Sequence, residues 1–374
     1  MKQLAPLIAC AVGLAFTQAE PAPRSLPTAP LRLDVDLADV AAVRELPNGH
    51  LLITDARTPS ILVVDPATGT TRRIGREGRG PNEFARPGGI YYDTDGATSF
   101  VLDRSQPRVL VVDRTGTLTG MRSIEVRGVR TAADDFDLQR VDAALHSYFV
   151  DQNAPFKAPP GATPDSLPLI RFDVARQKPD TAARLFYTKA TAVSTQGRMT
   201  FYRTPIFAPA DGWAVAPDGS VAIVRAAPYR VDWISATGRS TPGPTIAYTP
   251  VAVTAADREP RTRDAPSLSG GSANGGRATS ISGADFKTEY MPVKPAFDPR
   301  EIVVAPDNRL WVARYMPANA KQTVYDVFDR RGVRVDRVAF PARTRVVGFG
   351  PASVYAATLD DDDLPHIRKY RLTS

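Results

Sequence analysis

The sequence predicts an all-β fold made of a repeated unit of short antiparallel strands, and three observations carry that prediction. The 374-residue chain holds 34 prolines and 26 glycines, which favours many turns over long helices. Beyond residue 30, no segment sustains period-3.6 apolar spacing over a helix length; short β-type runs closed by Gly, Asp, Asn or Pro turns stand there instead. The same order of runs and turns then recurs along the chain.

Leu46 to Asp65 reads LPNGHLLITDARTPSILVVD, and Tyr92 to Asp113 reads YDTDGATSFVLDRSQPRVLVVD. Each has a tight turn, a strand, a polar loop with Pro, a second strand and a second Gly turn. Asn48-Gly49 and Asp95-Gly96 are strong hairpin signals, because both residue types accept the positive φ of a type I′ turn. Gly49 and Gly96 are 47 residues apart, as are Gly69 and Gly116. The unit recurs at Trp213–Gly238 and Ile302–Gly332. Two weaker copies fall at Phe136–Val150, continued by Leu169–Ala175, and at Val346–Leu372.

Six such units predict a six-bladed β-propeller, because each buries its faces only against its neighbours. Strands are labelled A to D outward from the axis. The Asn-Gly and Asp-Gly turns then join A to B, and the PATG and RTG turns join C to D. The last unit runs out of chain after its third strand. The alternating run LRLDVDL at 31–37 is therefore expected to close the last blade as its outer strand, since an unpaired edge would otherwise remain. The propeller spans 31–374. Insertions are expected at 151–166 and 257–294; the Gly/Ser core of the second is expected to be mobile, with a short helical turn near 255–263.

Residues 1–19 carry one Lys, an apolar run from Leu4 to Phe16, then small or polar residues, the pattern of a secretory signal peptide. The run is too short for a transmembrane helix. An alternative reading takes Leu7 to Cys10 as a lipobox, with Cys10 lipidated and the protein membrane-anchored. Either reading puts the mature chain outside the cytoplasm, secreted or periplasmic. Residues 20–30 are Pro-rich and expected to be an extended spacer. Cys10 is the only cysteine, which excludes an intrachain disulfide and a cysteine metal cluster. The net charge is +7, with 47 basic residues of which only eight are lysine. They are dispersed, so no nucleic-acid arm or polybasic membrane patch is expected.

The stretch GREGRGPNEFARPGGIYYDTDG, followed by FVLD and RVLVVDRTG, resembles the NHL-type propeller repeat. The whole is similar to secreted bacterial six-bladed propellers of the TolB-like group. The resemblance implies a fold; such propellers host binding modules, lactonases and lyases alike.

Most candidate motifs read as architecture. The Gly-rich loop at 75–81 leads into a strand rather than a helix, so it is an interblade connection and not a phosphate cradle, with Phe84 as an apolar plug. Asp55, Asp103 and Asp151 each end a strand B and are expected to hold loop N–H groups. Asp360–Asp363 lacks Ca²⁺-loop spacing and reads as a solvated loop. His50, His146 and His366 fall in different units, with no local His/carboxylate cluster expected, and no Gly-x-Ser-x-Gly elbow is present. Trp213, Trp233 and Trp311 read as blade packing.

A ligand site is expected at the face of the B–C loops, lined by Arg57, Arg104, Arg225, Tyr229, Arg314 and Tyr315. That set suits an anionic or sugar-like ligand. The expected function is an extracytoplasmic, monomeric binding module for a peptide, protein or glycan, with no cofactor and no catalytic residue assigned. The alternative is a lactonase- or lyase-like enzyme with a divalent cation at the channel.

Overall fold

The structure, a computed structural model, describes residues 20–33, 35–126, 140–151, 165–196, 199–258, 269–272 and 288–372. The expected leader with Cys10, the Phe136 end of the third copy and most of both insertions lie outside the described residues. The regular structure described is nearly all strand, in mostly antiparallel sheets whose strand order largely follows the chain. One four-stranded sheet runs Pro87–Tyr92, Ser99–Asp103, Arg108–Val112, Leu118–Ser123. The next runs Arg140–Val141, Ser147–Val150, Ser166–Asp173, Lys178–Phe186. A third runs Gly212–Val215, Val221–Ala226, Tyr229–Ile234, Ser240–Pro242. The A strands of neighbouring sheets lie against each other, so the sheets are arranged radially, as in a propeller.

The strands form where the sequence alternates tight turns with β-branched runs. Gly49 and Gly96 take φ of +83° and +73° in the A–B turns, a conformation that costs a side chain but not glycine. Strands B and C are buried on both faces, which is why they read as continuous apolar runs such as LLIT and SILVV. Sheet-to-sheet packing makes the core in successive clusters. Phe84 is fully buried with Leu46, Ile61, Val101 and Leu110, between two successive sheets.

Phe297–Val304, Leu310–Arg314, Gln322–Phe328 and Arg334–Pro341 form a sheet to which Arg24–Ser25 adds a fifth strand, parallel to the outermost one. An eight-stranded sheet joins both ends of the chain. Its first half is Val40–Glu45, Leu51–Asp55, Ser60–Val64 and Thr71–Arg73; its second is Thr344–Gly350, Ser353–Leu359, Pro365–Arg371 and Thr28–Ala29. The halves meet where Val43 and Arg44 pair in parallel with Gly348 and Phe349.

The N-terminal segment thus supplies an outer strand to the C-terminal one, but not with the residues expected. Thr28 and Ala29 pair with Tyr370 and Lys369. The described residues of the run at 31–37 form no strand; Leu31, Leu33, Val35 and Leu37 instead pack on the apolar cluster of Val43, Ile53, Val347 and Tyr355. Its alternation serves burial rather than pairing. Nor is 20–30 a free spacer, since both short strands within it are docked. The expected 257–294 insertion departs in two ways. Ser269–Ser272, in its Gly/Ser core, pairs with Met199–Arg203, which also pairs with Thr191–Gln196. Its two ends are clamped, with Asp257 and Lys294 in a 2.5 Å ion pair at 1% and 4% side-chain exposure. Of the expected helical turn, the described residues form a 3-10 turn, Ala255–Asp257, with Thr254 and Asp257 forming a capping box.

Candidate functional site

The six side chains expected at the B–C face sit in the B–C loops or at the strand ends that flank them, and they do not form one site. Arg57 is exposed, and its backbone N–H donates to Asp55. Arg104 lies over Gly88. Arg225 is clamped by Asp211 and Asp232, each at 2.8 Å, and donates to the Arg184 carbonyl. Tyr315 packs edge-on to Phe207, with centroids 5.3 Å apart. Only Tyr229 and Arg314 are brought together, the guanidinium 5.5 Å from the ring centroid.

That pair belongs to a larger charged cluster. Asp326, fully buried, accepts from Tyr229 Oη at 2.9 Å, Arg314 Nη1 at 3.1 Å and Arg337 Nε at 3.0 Å. Glu20 places its carboxylate 2.9 Å from Arg314, 3.5 Å from Arg334 and 3.4 Å from Arg337. Burial alone would lower the Arg314 guanidinium; Asp326, Tyr229 and Glu20 outweigh it and hold it above its ordinary value. Burial, reinforced by Asp326, pushes the Tyr229 phenol well up. The phenol therefore stays a hydrogen-bond donor at neutral pH.

A cavity of about 600 Å³ opens on the opposite face, where the A–B and C–D turns lie. Three successive sheets contribute. Thr94 comes from one, Asp142 to His146 and Arg171 to Asp180 from the next, and Pro217, Asp218 and Ala236 from the third. Charges of both signs line it. Arg176 pairs with Asp173 and Arg171 with Asp180, each at 2.6 Å. Arg171 also donates to the Ala236 carbonyl, which ties two sheets together across the cavity. Hydrogen bonds from the Arg176 backbone and side chain hold the Asp173 carboxyl below its ordinary range.

His146 is the most organised group in this cavity. Asp142, 2% exposed, meets its Nδ1 at 2.8 Å and accepts from the backbone N–H groups of Ala144 and His146. Tyr148 Oη donates to the same carboxylate at 3.0 Å. The other ring nitrogen lies 4.0 Å from Asp173. The imidazole is thus held by one nitrogen, leaving Nε2 on the cavity side, an arrangement suited to a hydrogen bond with a ligand. Leu145, beside it, has φ of +61°; the equivalent turns use Gly49, Gly96, Gly219 and Asn308. Its side chain packs against the cluster of Phe100, Leu102 and Val141, which offsets the strain.

The expectation of no local His/carboxylate cluster is corrected twice. Asp142 and His146 pair across one turn, and Asp360 accepts from His366 Nε2 at 2.6 Å. The second pair organises an exposed loop in which Asp360 also accepts from the Asp362 and Leu364 N–H groups. The Asp-x-x-x-His spacing inside a turn was the signal available for the first. Arg171, Asp173 and Asp180 carried none, because they read as ordinary polar strand ends. Among the described residues, no three His, Cys, Asp or Glu side chains are grouped to hold a metal ion. No helix among them is long and apolar enough to cross a membrane.

The chain is an all-β protein of propeller type. No protein-family model and no curated protein matches it. Among solved structures it is similar to a putative exported protein from Bacteroides fragilis, at 14% identity over 93% of this chain and 96% of that one, TM-score 0.49. A calcium-binding protein, regucalcin, from Agrobacterium tumefaciens aligns at 11% identity over 94% and 95%, TM-score 0.44. An inactive virginiamycin B lyase from Staphylococcus aureus, with quinupristin, aligns at 11% identity over 93% and 100%, TM-score 0.42. All three scores lie below 0.5, and the fold rests on the strand pairing rather than on them.

Proposed function

We propose that this chain is an extracytoplasmic six-bladed propeller that acts as a monomeric binding module, with a peptide segment as its ligand. The six-blade count divides the eight-stranded sheet at its parallel junction into a first and a last blade, each with four strands. Export is supported by the apolar, weakly basic N-terminal sequence. The observation that carries the binding reading is the turn-face cavity. It presents cations, carboxylates and an oriented imidazole on rigid turns from three sheets, matching the alternating donors, acceptors and charges of a peptide.

The test is titration of the purified protein with a mixed-charge peptide library, read by calorimetry and by chemical-shift changes. Binding should centre on residues 142–146 and 171–180, and His146→Ala should weaken it by about tenfold, one lost hydrogen bond to a charged or polar group. Binding indifferent to His146→Ala and Arg171→Ala would overturn the assignment. Turnover of a lactone or lyase substrate that chelation abolishes would favour the enzyme reading instead.

A further inference from the structure

Residues 20–26 make contacts spaced like those of a bound peptide ligand. Glu20 sits among Arg314, Arg334 and Arg337. The Pro21 carbonyl accepts from Arg337 Nη1 at 2.6 Å. Four residues after Glu20, Arg24 meets Asp336 through Nε at 2.9 Å and Nη2 at 2.7 Å. Arg24 and Ser25 add a parallel strand opposite Val338 and Ala339. Leu26, 5% exposed, then enters an apolar pocket with Trp311, Phe340 and Tyr370. Charge, backbone and apolar contacts thus alternate along one extended segment, the pattern of strand addition to a sheet edge. Pro21 and Pro23 hold that segment extended, which lowers the ordering cost of docking.

The receptor side is unbalanced without Glu20. Three guanidiniums face one internal carboxylate, Asp326, which is fully buried. Arg334 Nη1 is buried and makes no hydrogen bond, with carboxylate oxygens of Glu20 and Asp326 at 3.5 Å and 3.6 Å. A second anionic oxygen is therefore what the site selects. Arg314 and Tyr229, from the face expected to bind ligand, belong to it through Asp326.

We infer that the edge of this sheet is a recognition groove for an extended peptide carrying a carboxylate four residues ahead of a guanidinium, filled in cis by residues 20–26. This groove is independent of the turn-face cavity, so the two readings stand or fall separately. A cis segment competes at an effective concentration of about millimolar, which keeps trans ligands out of the intact protein.

The probe is a peptide of residues 20–29, acetylated at its N-terminus and carrying a fluorophore at its C-terminal end, titrated in fluorescence anisotropy. The full chain bearing Glu20→Ala and Arg24→Ala should bind it at least tenfold more tightly than the unsubstituted protein. Adding Arg334→Ala and Arg337→Ala should abolish binding, and a peptide with Gln at both charged positions should bind at least tenfold more weakly. Equal binding to the two forms, or binding indifferent to the peptide's charges, would overturn the inference. Because a multiply substituted chain can lose its fold, Glu20→Gln alone provides a second readout. Amide exchange at residues 24–29 should accelerate several-fold while the turn-face sheets stay unchanged; unaltered exchange at 24–29 would also overturn it.

Discussion

Gly348→Ala should loosen the seam that joins the two ends of the chain. A Cβ at this position would lie 1.6 Å from the Val43 carbonyl oxygen and 2.6 Å from its carbon. Both are backbone atoms, so no side chain can swing aside. Reaching even 3.0 Å needs a displacement of about 1.4 Å, more than a packed sheet absorbs. The parallel pairing of Val43 with Gly348 and Arg44 with Phe349 must then open. Losing two or three backbone hydrogen bonds at about 1 kcal/mol each, plus about 1–2 kcal/mol of overpacking, gives roughly 3–5 kcal/mol. For a chain of this length that is a fall in Tm of about 4–6 °C, read by calorimetry. Gly238→Ala is the control. It has φ of +86° and nothing within 4 Å of the added Cβ, so it reports backbone strain alone, about 1–2 kcal/mol. If Gly348→Ala melts within about 2 °C of the parent, or no lower than Gly238→Ala, the steric account of the seam is wrong.

Three further outcomes follow from buried groups. Lys294→Met should cost about 3–5 kcal/mol in urea unfolding, because it leaves Asp257 buried without its cation. Asp257→Leu with Lys294→Met should recover most of that loss, short of about 1 kcal/mol for the missing cap on the Thr254 N–H; a double variant no better than the single would refute the pairing argument. Burial raises the phenols of Tyr148, Tyr229, Tyr325 and Tyr355. The unfolded chain therefore releases those protons first, and the stability they contribute, complete below about pH 10, falls as pH rises beyond it. Phenolate absorbance should show these four ionising only together with unfolding; free titration of all 12 tyrosines before loss of the fold would contradict it.

The strands were legible because their signals are local. Asn-Gly and Asp-Gly turns bracket runs that are buried on both faces, so hairpin and burial patterns agree within about 20 residues of chain. The three-stranded sheet of Thr191–Gln196, Met199–Arg203 and Ser269–Ser272 was not, because Met199–Arg203 takes its second partner from a distant Gly/Ser segment. A strand without apolar alternation carries no periodic signal. Closure by the N-terminal segment was legible as a need and misplaced in register. The alternation at 31–37 is real, but its side chains plug the space between the two halves of the eight-stranded sheet while Thr28 and Ala29 supply the pairing.

The charged sites show a different limit. Asp142 and His146 lie four residues apart, so the turn that joins them could be read from the sequence. Glu20 and the arginines around it are separated by about 300 residues, and no spacing along the chain announces them. What brings them together is the return of residues 20–29 across the sheet of Phe297–Val304 to Arg334–Pro341 and onto the last strand. The same chain path that closes the fold therefore also fills the groove, and each contact that tightens the seam weakens a competing trans peptide. Stability and accessibility are opposed at this edge. A substitution at Glu20 should lower Tm and open the groove by the same free energy, and measuring both on one variant tests whether they share a cause.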